Sequence, residues 1–212
     1  MINRIFKVCI SYPTIHKWIK KYAPLVKEYA HRLVPQCGGG KWHNDETVLK
    51  VKGENVYYWD IIDEDTKFLL DGFNSGRRRS RREARDLYKN AKEYARAFPK
   101  AIYCDGYPGY ERGLASSFDN RKIEFHAKIG IRSSPNNNAI ERFHATLKER
   151  IKIMRGLQNP TELLDAFIIH YNFIRPHQSL KGKTPAEKAG IKLPFKDGWK
   201  DLITWATRAQ FY

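Results

Sequence analysis

Three neighbouring segments rich in Val, Ile, Tyr and Phe constrain the fold of this chain most strongly. They run from Glu46 to Val51, from Val56 to Ile62 and from Lys67 to Phe73, and links of only four residues separate them. Links this short join antiparallel neighbours, so the sequence predicts a three-stranded antiparallel meander. We interpret three nearby acids as turn and surface residues rather than ligands: Asp60, Asp63 and Asp65.

A long amphipathic helix is predicted over residues 136–155. Pro135 and a run of asparagines supply its start. Its apolar positions follow helical spacing: Ile140, Phe143, Leu147, Ile151 and Met154. Glu141, His144 and Lys148 form a second stripe at the edge of that apolar face. Taken alone, this stripe fits a solvated face with charge pairs as well as it fits a functional site.

Two further acids lie on predicted core strands. The segment 101–106 is a short apolar run that ends in Asp105 and a glycine, which indicates a buried strand delivering a carboxylate at its end. Asp45 lies near the start of the first strand-like segment. Because the chain has 23 acids, spacing alone does not distinguish this set from chance, and the neighbouring residues must decide.

Those neighbouring residues resemble a known family. Asp45 lies in Trp-His-Asn-Asp-Glu-Thr, Asp105 in Tyr-Cys-Asp-Gly-Tyr and Glu141 in Asn-Ala-Ile-Glu-Arg-Phe-His. These three segments resemble those that carry the carboxylate triad of DDE transposases and retroviral-type integrases. The second and third acids are 141 − 105 = 36 positions apart, with 35 residues between them. A later block, 171–187, resembles the segment that closes the catalytic domain of insertion-sequence transposases. The Met-Arg-Gly motif at 154–156 resembles the sequence at this position in the IS6-like branch of these transposases.

The resemblance implies an RNase H-like α/β fold, a five-stranded mixed sheet flanked by helices, and the predicted order of strands and helices agrees. It implies that Asp45, Asp105 and Glu141 bind two Mg2+ ions, with Mn2+ able to substitute. The implied reaction is DNA strand cleavage at transposon ends, followed by transfer of the 3′-hydroxyl to target DNA. Acting on two ends implies a homodimer or a higher oligomer on double-stranded DNA.

The chain divides into four predicted parts. Residues 1–24 resemble the end of a helix-turn-helix, preceded in the family by more chain, and residues 25–40 form a helical linker ending in three glycines. Residues 41–190 form the catalytic domain, and 191–212 are a basic aromatic tail of open role. The first part also fits a basic amphipathic helix packed on the catalytic domain.

An excess of positive charge favours a polyanionic partner. Lys and Arg exceed Asp and Glu by 39 − 23 = 16. Basic proteins without a nucleic-acid partner share this composition. The predicted DNA contacts are Lys148, as the resemblance implies, together with His144, Arg142, Arg78, Arg79, Arg81, Lys17 and Lys20. The arginines belong to a run of six within 77–85, which also fits a solvated helix start.

The sequence gives little support to a zinc-binding, disulfide-bonded or membrane protein. Three dispersed cysteines, Cys9, Cys37 and Cys104, indicate neither a zinc site nor disulfides. No apolar run approaches a membrane span, so we expect a cytoplasmic protein without a membrane partner. Arg175 and His177 are predicted to be structural. Two alternatives remain open: a catalytically inactive, transposase-derived DNA-binding protein, and an RNase H-like nuclease or resolvase.

Overall fold

A five-stranded mixed sheet forms the centre of the molecule. The computed structural model describes residues 10–118, 122–127, 137–153, 157, 160–194 and 196–210. In spatial order β3-β2-β1-β4-β5, the first three strands are antiparallel, and β4 and β5 run parallel to β1. Their bounds are β1 Lys41–Val51, β2 Glu54–Asp63, β3 Leu69–Asn74, β4 Ala101–Tyr103 and β5 Glu124–His126. The predicted meander and the mixed sheet are confirmed.

Seven α-helices accompany the sheet within the described residues. In chain order they are α1 Tyr12–Arg32, α2 Arg81–Ala95, α3 Pro108–Ala115, α4 Asn138–Ile153, α5 Pro160–Ile169, α6 Pro185–Lys188 and α7 Gly198–Arg208. A π-helical turn, His170–Ile174, continues α5, and a short 3-10 turn, Gln178–Leu180, follows. The end of the predicted long helix, 154–155, lies outside the described residues.

The alternation of side chains along the strands divides the core between two faces of the sheet. Trp42, Trp59 and Ile61 are fully buried on the face that α2 covers. Tyr58 and Ile62 are fully buried on the opposite face, which the apolar stripe of α4 covers. Successive residues of a strand point to opposite faces, so odd positions of β1 and even positions of β2 face α4.

Helix α1 is one continuous helix that runs through Pro24 and across the predicted division between residues 24 and 25. Ser11 caps it, accepting a hydrogen bond from the Thr14 amide at 3.4 Å. An internal proline removes one helical hydrogen bond and crowds the preceding turn. Packing on both sides of the proline, through buried Ala23 and Val26, stabilises the helix across this defect. The predicted linker therefore begins inside a helix.

The two halves of α1 differ in environment. Ala23, Val26 and Ala30 are buried in the half that packs against α5 and α7. The other half is open, with Tyr12 79% exposed and Trp18 47% exposed. The exposed first half is compatible with the predicted helix-turn-helix, and the packed second half is compatible with an amphipathic helix on the catalytic domain. The helix-turn-helix therefore stays a prediction. The residues that would form its preceding helix, 1–9, lie outside the described part.

The C-terminal block is mainly structural. The buried Asn172 side chain accepts a hydrogen bond from the Leu69 amide at 2.9 Å and donates one to the Leu69 carbonyl at 2.8 Å. A ring nitrogen of His177 lies 3.3 Å from the Tyr171 carbonyl oxygen. This block therefore fixes the chain that follows α5 against β3, and the structural interpretation of His177 is supported. Helix α7, within the predicted tail, packs Leu202 into the core.

Candidate active site

Asp45 occupies the centre of the acidic site. Strand β1 begins at Lys41, so Asp45 lies inside the strand and points toward α4. It is 9% exposed, and one of its carboxylate oxygens accepts a hydrogen bond from the Glu46 amide at 2.9 Å. Its neighbour across the ladder in β2 is Asp60. A central strand thus holds this carboxylate rigidly, with little freedom to turn away.

The three predicted acids converge around Asp45. Side-chain ligand atoms of Asp45, Glu141 and His144 all lie within 4.8 Å of one another, and those of Asp45, Glu46 and Asp105 satisfy the same limit. The parallel pairing of β1 with β4, in which His43 lies opposite Tyr103, brings Asp105 beside Asp45. The first turn of α4 places Glu141 beside Asp45. Sequence patterns did not identify Glu46 as a member of this cluster.

Crowding of acids has an electrostatic consequence. Burial raises the pKa of the Asp45 carboxyl to about 7. The charge of His144 opposes this rise, whereas the carboxylates of Asp105 and Glu141 add to it. Several carboxylate oxygens that repel one another, placed in a half-buried cluster, match the hard oxygen donors that Mg2+ and other divalent cations prefer. The residues present therefore fit a divalent metal.

The interpretation of Asp60 as a surface acid was wrong. Asp60 is fully buried, because even positions of β2 face α4. Its two oxygens lie 2.9 and 3.0 Å from Nε2 of His144. The other ring nitrogen, Nδ1, lies 3.8 Å from Oδ2 of Asp45. His144 therefore bridges a buried carboxylate and the acidic cluster. The shared face of Tyr58, Asp60 and Ile62 was the signal available in the sequence.

Charge stabilises this pair despite its burial. Burial alone would lower the pKa of His144, but the Asp60 carboxylate with its hydrogen bond and the carboxylates of Asp45 and Glu141 together offset this effect, so the pKa lies above its ordinary value. Burial raises the pKa of Asp60, and His144 opposes that rise. A buried charge is tolerated when it is paired and hydrogen-bonded. The pair thus holds the His144 ring in one orientation.

Asp63, the last residue of β2, and Asp65, in the β2–β3 link, differ in exposure. Asp63 is 1% exposed, so its assignment to the surface was also wrong. It accepts hydrogen bonds from the Thr66 amide at 2.9 Å and the Thr66 hydroxyl at 2.7 Å, which makes it a buried turn residue. Asp65 is exposed, as predicted.

Arg79 lies at the other side of the acidic cluster. Its guanidinium contacts Oδ2 of Asp105 at 3.0 Å and forms an ion pair with Glu46. The second oxygen of Glu46 accepts a hydrogen bond from the Tyr110 hydroxyl. The guanidinium also lies over the Tyr107 ring, 4.3 Å from its centre. Arg79 therefore neutralises two acids of the site, in addition to its predicted role in DNA contact.

The other predicted DNA contacts lie on the surface. Lys148 and Arg142 are exposed on α4, and Arg78 and Arg81 are exposed at the start of α2. The remaining two, Lys17 and Lys20, are exposed on the open half of α1. His144 differs, since it is buried beside the acids. The contact of these residues with DNA stays a prediction.

The described cysteines belong to the core. Cys37 and Cys104 are buried and unbridged. Burial raises the pKa of Cys37 to about 12. Cys104, which directly follows β4, packs in the core that α2 covers. Within the part of the chain that the structure describes, no helix combines the length and apolar character needed to cross a bilayer.

Residues 39–180, two thirds of the chain, match the family model of the IS240-type DDE domain. The chain belongs to the DDE transposase family. The transposase for the insertion sequence-like element IS431mec from Staphylococcus aureus strain Mu50 is 22% identical over 191 residues, which cover 88% of this chain and 82% of that protein. The transposase for insertion sequence element IS257 in transposon Tn4003 aligns equally well. These relatives confirm the insertion-sequence branch.

Solved integrases share the fold of this transposase. The HTLV-2 integrase catalytic core domain in complex with magnesium superposes with a TM-score of 0.52 at 14% identity, covering 74% of this chain and 97% of that domain. A chain of the simian T-cell lymphotropic virus intasome gives 0.57 at 17% identity, covering 78% of this chain and 58% of that chain. This likeness confirms the predicted RNase H-like fold.

Proposed function

We propose that this transposase uses Asp45, Asp105 and Glu141 to hold two Mg2+ ions, with Mn2+ able to substitute, and that it cleaves a DNA strand at each transposon end. The freed 3′-hydroxyl then attacks target DNA. The observation that carries this proposal is the convergence of both partner acids on Asp45. The HTLV-2 integrase core, which shares the fold, is in complex with magnesium, and this supports the choice of metal.

When bound, a pair of divalent ions activates the attacking oxygen and neutralises charge on the leaving oxygen. The protein supplies the positions. Strand β1 positions Asp45, the segment that follows β4 positions Asp105, and helix α4 positions Glu141. Carboxylates that the fold holds close to one another are preorganised to bind cations. No covalent bond between DNA and protein is needed.

The remaining polar residues orient these acids. Asp60 holds His144 against Asp45, so the carboxylate of Asp45 faces a fixed ring. Arg79 holds the Asp105 carboxylate, whose other oxygen accepts a hydrogen bond from the Tyr107 amide at 2.9 Å. Such partners of metal ligands fix ligand geometry and tune affinity. Both sides of the acidic cluster are therefore supported by hydrogen bonds from neighbouring elements.

DNA binding is proposed to follow the exposed cations around this cluster. Lys148 lies two helical turns beyond Glu141 on α4, and Arg78 and Arg81 flank the paired Arg79. On the open half of α1, Lys17 and Lys20 add further exposed positive charge. Arginine and lysine contacts with phosphates provide affinity without reading sequence. We propose that a homodimer or larger oligomer brings two transposon ends together.

A strand-transfer assay tests this proposal. Purified protein is incubated with duplexes carrying candidate terminal sequences and a supercoiled target plasmid, with and without Mg2+. Wild-type protein is expected to cut and join strands only with the metal, and Asp105→Asn is expected to bind DNA but do neither. Asp65→Asn, which changes an exposed acid, is the matched control and should remain active. Activity of Asp105→Asn would contradict the proposal.

A further inference from the structure

A large cavity lies beside the acidic cluster on the same face of the sheet. Its volume is about 590 Å³, and it lies between the start of α4, the β2–β3 link and the segment 175–179. His43, which lines it, precedes Asp45 by two positions on the same face of β1. Arg142, which also lines it, directly follows Glu141. A ligand that crosses the acidic cluster can therefore continue into this cavity.

Three cations from different elements line the cavity: Lys67, Arg142 and Arg175. Among the described residues, none of them has a carboxylate within the 4.0 Å that defines an ion pair. The cavity also contains Glu64, but Oε2 of that acid lies 3.2 Å from His43 Nε2 and 3.8 Å from Lys41 Nζ. The positive charge of the cavity is therefore not balanced from within.

Lys67 is a half-buried cation in this cavity. Its backbone adopts the left-handed conformation, with φ of 57°, and its side chain is half-buried. Burial lowers its pKa and the charge of Arg142 lowers it further, whereas Glu64 and the acids of the same turn act in the opposite direction. Like charges that face one space repel each other. An anionic group between Lys67 and Arg142 would remove that repulsion.

We propose that this cavity binds a backbone phosphate of the DNA strand that passes over the acidic cluster. Arginine forks match phosphate oxygens in two parallel hydrogen bonds, and lysine adds a compact charge. The exposed Arg142, Gln178 and Ser179 leave the cavity open to a long polymer. The identity of this polymer rests on the proposed function. Free inorganic phosphate shares the chemistry, and the experiment separates the two sources.

The test is the salt dependence of binding to a short DNA duplex, measured by fluorescence anisotropy in EDTA. The double variant Lys67→Gln/Arg175→Gln is compared with Lys89→Gln, an exposed lysine on α2 across the sheet. The proposed contact is with one backbone phosphate, and each lost phosphate contact reduces the slope of log K against log salt by about 0.9, so the double variant should lose about 0.9. The slope of the Lys89→Gln control should not change.

A second pair of variants covers the case in which the double variant does not fold. Ser179 is exposed at the cavity, so Ser179→Lys should tighten DNA binding and Ser179→Glu should weaken it. All measurements use the Asp105→Asn background, so a failure of strand cleavage does not affect them. Equal slopes for the double variant and its parent would overturn the proposal, and so would equal affinities for both Ser179 variants.

Inorganic phosphate separates the second source. If millimolar phosphate raises the melting temperature of the parent but not of the double variant, and the DNA slope is the same in both, the cavity binds a free anion. That outcome also overturns the DNA assignment. The expected result is a lower slope for the double variant, with phosphate competing against DNA in the parent.

Discussion

Asp60→Asn is the most informative single change, because it keeps the shape of a buried side chain while removing its charge. Two carboxylate oxygens lie 2.9 and 3.0 Å from Nε2 of His144. Hydrogen bonds to charged groups contribute about 1.5–3 kcal/mol, which corresponds to about 10- to 150-fold in an equilibrium constant. Loss of a partner that orients a metal site costs about 10- to 100-fold in metal affinity. We therefore expect Asp60→Asn to lower the affinity for the metal by at least about tenfold.

The assay is the Mg2+ concentration that gives half-maximal strand cleavage, together with the rise in melting temperature with added Mg2+. Asp60→Asn should require at least about ten times more metal, while DNA affinity in EDTA stays unchanged. Asp65→Asn is the matched control, since it changes an exposed acid three positions after Ile62. If the folded Asp60→Asn protein shows the same Mg2+ dependence as wild type, the role assigned to the Asp60–His144 pair is refuted.

Three further predictions concern the support of the site and the core. Arg79→Ala should lower the free energy of unfolding, measured by urea titration, by about 3 kcal/mol, because it leaves buried Glu46 without its cation. The control Arg78→Ala should change it little, and equal losses of stability in the two variants would contradict this. Asn172→Ala should cost about 2–4 kcal/mol, because two backbone groups of Leu69 lose their partners, and a loss below about 1 kcal/mol would exclude that role. In a Cys9→Ser background, a thiol reagent at pH 8 should label neither Cys37 nor Cys104 before unfolding, because burial raises both pKa values so that the thiols stay protonated; rapid labelling of the folded protein would refute this.

Much of the fold follows from local sequence patterns. The meander was predictable because three β-rich segments alternate with short turns, and the long helix because its apolar residues repeat every three or four positions. The acids Asp45, Asp105 and Glu141 were found only through the residues around them. Spacing alone would not have separated these three from the other acids, because their meeting point depends on the order of strands in the sheet.

The missed features depend on tertiary contacts. Asp60 was misassigned because an acid near a turn is usually exposed, and nothing local shows that His144 neutralises it. Pro24 was taken as a boundary because proline disfavours helix interiors, and the packing of α1 against α5 and α7 overrides that preference. Similarly, Arg79 was indistinguishable from the other arginines of its run until Glu46 and Asp105 were placed beside it.

We propose that three separate elements of the fold bring their acids to one metal site. Anomalous diffraction from crystals soaked in Mn2+ tests it most directly. We predict two peaks about 3.5–4 Å apart, both contacting Asp45, with Asp105 on one and Glu141 on the other. Peaks at other acids, or metal bound without Asp45, would contradict the account.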